Sequence, residues 1–158
     1  MKTENTKQTQ EESTDTQRKA IRHAITRMLS RREHSQFEIL QKLKQKGYEA
    51  RLSQSVLQQF INNKIQSDER YVESFVKSAY QRGKGPAFIK QSLEQQDIVS
   101  LNLESFLYSE EFNWFELAEN VRIKRFGPEV PQNWDEQQKQ KRFLQYRGFL
   151  SEHIQEIF

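Results

Sequence analysis

The chain contains no cysteine. Disulfide staples and thiolate metal sites are therefore excluded, and any metal would need histidine and carboxylate ligands. The histidines, His23, His34 and His153, lie far apart and form no HxxxH pair, so neither a metal nor another cofactor is expected. Glycine (5) and proline (3) are scarce in 158 residues, which argues against the tight turns of an all-β sandwich. No apolar run approaches the ~18 residues that span a membrane, and the N-terminus lacks the apolar core of a secretory signal. Gly83 and Gly85 flank Lys84, but there is neither a preceding strand nor the Gly-Lys-Ser/Thr sequence of a phosphate loop. Hydrophobic residues make up only 34% and charged residues 30%, so thin helical layers suit the chain better than a thick globule. Gln, Glu, Lys, Leu and Arg are plentiful, and all favour helix.

Charge is distributed unevenly. Residues 18–51 hold ten Lys/Arg against three Asp/Glu, residues 52–109 hold six of each, and residues 110–158 hold seven against nine. A basic first third points to an anionic partner: nucleic acid, an acidic protein surface, or a filament assembled on nucleic acid. A solvated, Lys/Arg-rich helix surface is the plainer alternative. The segment Met1 to Gln17 has no apolar residue after Met1 and is expected to be a disordered, solvated tail.

The sequence repeats at an offset of 50. Ile25 falls on Phe75, Leu29 on Ala79, Ile39 on Ile89, Leu43 on Leu93, Tyr48 on Ile98, Val56 on Phe106, Leu57 on Leu107 and Arg32 on Arg82. A shift of 101 adds Leu43 with Leu144, Gly47 with Gly148, Tyr48 with Phe149, Val56 with Ile157 and Leu57 with Phe158. Each copy reads as three helices. The first has a stripe of Ile21, Ala24, Ile25, Met28 and Leu29. Next comes a helix begun by Ser35 and Glu38 as a capping box and ended by Gly47, then a helix from about Ser53 to Ile65. In the second copy Asp68 is the expected cap of the first helix, and Gly85-Pro86 opens the next with proline at the first helical position. In the third copy, helices are expected at about Glu136 to Arg147 and Ser151 to Phe158, with Glu110 and Glu111 near the start of a helix. The expected architecture is all-α: three tandem three-helix repeats forming an elongated, curved array. The boundaries are a tail over 1–17 and repeats over 18–66, 67–109 and 110–158, the last with an inserted loop near 126–134.

No constellation of catalytic residues emerges, and an enzyme is not expected. His34 and Glu38 are four apart, a spacing that suits a local contact at a helix corner better than an acid–base pair. The candidate binding residues are basic: Arg27, Arg31, Arg32, Lys42, Lys46, Arg82 and Lys84. Arg27 and Arg31 are one turn apart, Lys42 and Lys46 share a face, and Arg32 and Arg82 hold equivalent corners of successive repeats. Such residues could form a discontinuous basic ridge.

"RREHSQFEILQKLKQKGY" resembles the first-repeat signature of the bacterial RecX family, which often reads R-x-x-S-x-x-E-L followed by K-L and a glycine. "SDERYVESFVKSAYQRGKGPAFIKQSLEQQDI" resembles the second, and the third-repeat insertion and Arg147-Gly148-Phe149 also fit. The resemblance covers about residues 18–158. It implies a cytoplasmic, non-catalytic modulator of the recombinase RecA, acting in DNA recombination, DNA repair and the SOS response. Such proteins bind in the groove of the RecA filament on single-stranded DNA and lower its ATPase, strand-exchange and coprotease activities. One departure is Phe88, where family members often have a basic residue before the second-repeat isoleucine. The alternatives are a helical module that binds DNA directly without RecA, and a scaffold for an unrelated acidic protein. A monomer with no membrane contact is expected.

Overall fold

The structure is a computed structural model that describes residues 2–158; Met1 and the side chain of Lys2 lie outside the described residues. Among the described residues there are nine helices and no strand: α1 (Lys2–Arg31), α2 (Gln36–Gln45), α3 (Ala50–Asn62), α4 (Asp68–Gln81), α5 (Pro86–Glu94), α6 (Leu103–Leu107), α7 (Trp114–Phe126), α8 (Trp134–Tyr146) and α9 (Ser151–Gln155). They fall into three successive groups of three, as the 50-residue offset requires. The chain divides into two compact units, one ending at Tyr71 and the other covering Val72–Phe158.

In the first unit, α1, α2 and α3 pack on one another. Ile21, Ala24 and Ile25 of α1 meet Ile39 and Leu43 of α2 and Leu52, Val56, Leu57 and Phe60 of α3 in one buried cluster. The i, i+3, i+4 spacing places each set on one helix face, so closing three faces removes all of them from water. The second unit closes α7, α8 and α9 around Ala118, Leu144, Phe149 and Ile154. Its earlier helices bury Val72, Val76, Ala79, Ile89, Leu93 and Leu107. All seven apolar pairs at the offset of 50 are buried or half-buried. That is the outcome expected of a structural repeat.

The repeat extends to a backbone detail. The second helix of every group ends in a left-handed residue: Gly47 (φ 84°), Asp97 (φ 56°) and Gly148 (φ 94°). The N–H after it then donates to a leucine carbonyl five residues back: Tyr48 to Leu43 (3.2 Å), Ile98 to Leu93 (3.4 Å) and Phe149 to Leu144 (3.1 Å). This is the Schellman arrangement, which satisfies carbonyls the helix leaves open. The same leucine thus serves the core with its side chain and the cap with its carbonyl.

Several expectations are corrected. Residues 2–17, expected as a disordered tail, continue α1 to Lys2. The stretch contains neither glycine nor proline to break a helix, and Thr9, Thr14 and Thr16 donate their hydroxyls to carbonyls one turn back. Residues 3–16 are nevertheless all exposed, so the segment contributes no core. The third helix spans Ala50–Asn62 rather than Ser53 to Ile65, because the Glu49 carboxylate caps it through the N–H groups of Arg51 and Leu52. At the start of α4, the Ser67 hydroxyl accepts from Arg70 N–H (3.3 Å). Asp68 is the first helical residue instead of the cap, and its carboxylate accepts from the Gln36 N–H and from Gln66, both at 2.9 Å. α7 starts at Trp114 behind the Asn113 cap, well after Glu110 and Glu111. α8 starts at Trp134 because Asn133 caps it, and α9 ends at Gln155.

Candidate functional site

Ser35 begins α2 with its hydroxyl accepting from Glu38 N–H (3.1 Å). The Glu38 carboxylate then receives the guanidinium of Arg32 through two hydrogen bonds, and Lys42 approaches it at 3.4 Å. Burial raises the Glu38 pKa, but hydrogen bonding from Arg32 and the positive charge around it win, and the carboxyl sits below its usual range. Arg32 also donates to the Glu33 carbonyl, so much of its donor capacity holds the corner between α1 and α2.

His34 is 3% exposed. Lys42 Nζ donates to its Nε2 (3.1 Å), which leaves Nδ1 to donate to the Arg32 carbonyl (3.1 Å). The ring is therefore neutral, and burial holds its pKa below the ordinary histidine value. His34 Nε2 stands 4.0 Å from the Glu38 carboxylate, a local contact at the corner without a hydrogen bond. The His34 backbone carbonyl accepts from the buried Gln66 (3.1 Å), and Gln66 also bonds Asp68. Glu33 pairs with Arg70 at 3.0 Å. The first turn of α4 is thus tied to the α1–α2 corner by polar contacts between residues more than thirty apart in sequence.

On the outer side of this corner lies an open groove of about 540 Å³, lined by Ala24, Arg27, Met28, Arg31, Arg32, His34, Lys42, Gln45 and Lys46. Five of the seven basic residues singled out by sequence meet here. Among the described residues, Arg27, Arg31 and Lys46 form no ion pair, while Arg32 and Lys42 are partly neutralised by Glu38. The groove combines an apolar floor from Ala24 and Met28 with cations from two helices. Such a surface is electrostatically complementary to an anionic partner.

Arg82 and Lys84 belong to the second unit, at the corner between α4 and α5. Their surroundings are built around two glycines. Gly85 N–H donates to the Arg147 carbonyl (2.8 Å) and Ala87 N–H to the Gly148 carbonyl (3.0 Å). A Cβ on Gly85 would come within 2.3 Å of the Gly148 carbonyl carbon, and one on Gly148 within 2.4 Å of Phe88 Cβ, so the two segments cross backbone to backbone. Arg147 donates to the Gly83 carbonyl (3.2 Å) and the Arg82 carbonyl (2.6 Å), closing the end of α4. Lys84 Nζ lies 4.5 Å from the Phe88 ring centroid. Burial, then the charges of Arg147 and Arg82, push its pKa down. Phe88 therefore has a packing role.

Arg122 is fully buried, which sequence reading missed because a helical arginine resembles any other. It donates to the carbonyls of Gly127, Pro128 and Glu129 at 3.2–3.3 Å and tethers the inserted loop to α7. His153 is also buried. Its Nδ1 accepts from Leu150 N–H (3.1 Å), and burial lowers its pKa. Among the described residues, no cluster of three His, Asp or Glu could hold a metal, and no helix is long and apolar enough to cross a membrane.

Three family models match the chain in order: RecX, first three-helix domain, over residues 22–60; RecX, second three-helix domain, over 67–100; and RecX, third three-helix domain, over 113–158. The chain is 36% identical over 135 residues to Regulatory protein RecX of Halorhodospira halophila, covering 85% of this chain and 84% of the relative. It is 37% identical over 132 residues to Regulatory protein RecX of Legionella pneumophila, covering 84% and 88%. A crystal structure of regulatory protein RecX shares the fold with a TM-score of 0.77 at 23% identity, over 92% of this chain and 74% of that one. The crystal structure of RecX from Lactobacillus salivarius gives 0.72 at 21% identity, over 90% and 95%. With three matching domains in order and more than a third of residues shared with relatives across most of the chain, this protein belongs to the RecX family of regulatory proteins.

Proposed function

We propose that this protein is a non-catalytic, cytoplasmic regulator of RecA that acts as a monomer. It lodges in the groove of the RecA filament on single-stranded DNA and lowers ATP hydrolysis, strand exchange and coprotease activity. Membership of the RecX family supports the reading. The structural observation that carries it is the gathering of Arg27, Arg31, Lys42 and Lys46 around one groove at the α1–α2 corner. A surface of this kind gains Coulomb energy against an anionic filament and loses it to salt, with screening lengths of about 8 Å at physiological ionic strength. Arg82 and Lys84, at the corner between α4 and α5, are further candidates for contact with the filament.

The test is a titration of the protein into RecA on single-stranded DNA with ATPase as readout, beside a titration on naked single-stranded DNA. The variant of choice is Arg27→Glu, Arg31→Glu and Lys46→Glu together. None of these three pairs with a carboxylate among the described residues, so the variant should keep its helicity. Arg32 is left in place because a glutamate there would face Glu38. The expected result is inhibition by the parent and weaker inhibition by the variant. Unaltered ATPase at saturating protein, together with tight binding to naked strands and a steep salt dependence, would establish the direct DNA-binding reading instead.

A further inference from the structure

A second groove, of about 520 Å³, opens in the second unit between the end of α4, α7 and α8. Its apolar surface comes from Leu117 and Val121 on α7 and Phe143 on α8, and its rim from Arg82, Lys124, Arg125 and Arg147. Its lining contains no carboxylate. Among the described residues, none of the four cations forms an ion pair. This sets it apart from the first groove, where Glu38 neutralises part of the charge.

One of the four cations is held in place, and the other three are exposed. Arg147 is anchored by its bonds to the Gly83 and Arg82 carbonyls, so its charge stays at the groove edge without further ordering cost. Lys124 and Arg125 are exposed in the last turn of α7. The neighbouring Lys84 has its ammonium form disfavoured first by burial and then by the charges of Arg147 and Arg82. The apolar surface joins two aliphatic side chains, Leu117 and Val121, to one ring, Phe143, which packs T-shaped against Phe126 (5.2 Å, 89°). Nucleobases bind single-strand surfaces by stacking successively on several aromatic side chains, and this groove holds a single ring, Phe143. It suits a branched or aromatic side chain inserted from above, with carboxylates arranged around it.

We propose that this groove docks an acidic segment of a partner protein, one apolar side chain seated on Leu117, Val121 and Phe143 and its carboxylates on Arg82, Lys124, Arg125 and Arg147. This goes beyond inhibition through the α1–α2 corner and does not depend on it. The segment supplies what the rim lacks, counter-charges, and what the apolar surface lacks, cover.

The experiment uses the full chain and three fluorescent probes: a ten-residue Asp/Glu peptide with a central Leu-Phe pair, the same peptide with Ala-Ala at the centre, and a ten-nucleotide oligothymidylate. Fluorescence anisotropy should show saturable binding of the Leu-Phe peptide at least about tenfold tighter than the Ala-Ala peptide, a difference of about 1.4 kcal/mol. The double variant Lys124→Glu, Arg125→Glu should weaken that binding at least tenfold with an unchanged circular dichroism spectrum, while Arg27→Glu, Arg31→Glu leaves it intact. Failure of the Leu-Phe peptide to saturate below about 1 mM overturns the proposal, as does equal binding of the Ala-Ala peptide. Oligothymidylate binding lost in the Lys124/Arg125 variant, without peptide binding, makes the groove a nucleic-acid surface and also overturns it. RecA inhibition is read separately, so the two proposals fail independently.

Discussion

The left-handed residues that end α2, α5 and α8 should respond to substitution in a graded way. At Gly47 an added Cβ would meet nothing within 4 Å. Gly47→Ala therefore carries only the left-handed backbone cost, about 1–2 kcal/mol. At Gly148 the backbone cost is similar, but the Cβ would also sit 2.4 Å from Phe88 Cβ and 2.5 Å from its backbone nitrogen. The helix must move, and the bonds from Gly85 to Arg147 and from Ala87 to Gly148 are lost with it. At about 0.5–1.5 kcal/mol for each hydrogen bond, Gly148→Ala should cost about 2–5 kcal/mol in all. Asp97→Gly should have the opposite sign. It removes a side chain from φ 56° and gains at most about 1 kcal/mol, offset in part by the entropy glycine adds to the unfolded chain. Both tryptophans, Trp114 and Trp134, lie in the second unit. Tryptophan fluorescence during urea unfolding therefore reads Gly148 and Asp97, while far-UV circular dichroism reads the whole chain. A Gly148→Ala variant no weaker than Gly47→Ala would refute the backbone crossing, and a destabilised Asp97→Gly would refute the shared cap.

Leu43, Leu93 and Leu144 are all fully buried in equivalent positions, and Leu→Ala at each should cost about 2–5 kcal/mol in denaturant unfolding; losses below ~0.5 kcal/mol at two of them would break the repeat register. Deleting residues 1–17 should lower helical dichroism but move the thermal midpoint by less than about 2 °C, under ~1 kcal/mol for a chain of this size; a fall of many degrees would reveal a docked role. Acid should destabilise the fold in two stages. His34, facing Arg32, Lys42 and Glu38, and His153, beside Glu152, have folded pKa values pushed below the ordinary 6.5 by burial. The unfolded chain then binds more protons, so their contribution is complete above pH ~6.5 and is lost as pH falls through the folded values. Glu38, lowered from 4.5, adds a further loss below about pH 4.5. Unfolding free energies measured across this range should fall with acid, and a His153→Gln variant should show a shallower slope between about pH 6.5 and about pH 5; an unchanged slope would count against the neutral His153.

The sequence by itself determined the helices, their grouping in threes and most of the core. Each of these is encoded by spacing within one segment: Ile21, Ala24 and Ile25 share a face whatever lies opposite, and Ser35 caps the turn that follows it. The offset of 50 carried that local information from one repeat to the next, down to Leu43, Leu93 and Leu144. The sequence also picked out five cations that meet in one groove, because helical periodicity puts Arg27 beside Arg31 and Lys42 beside Lys46. Tertiary structure decided how each charge is used. Arg32 is joined to Glu38, Arg147 closes the end of α4 across more than sixty residues, and Arg122 is buried under the inserted loop. These three arginines look alike in sequence and differ only in which carbonyls or carboxylates the fold brings to them. Asp97 shows the same limit in the backbone. Its left-handed conformation follows from the turn shared with Gly47 and Gly148, and no local propensity of aspartate would have demanded it. Local patterning sets which face a residue occupies, whereas the partner that waits there depends on chain segments far away, and the second determines charge, cap and groove.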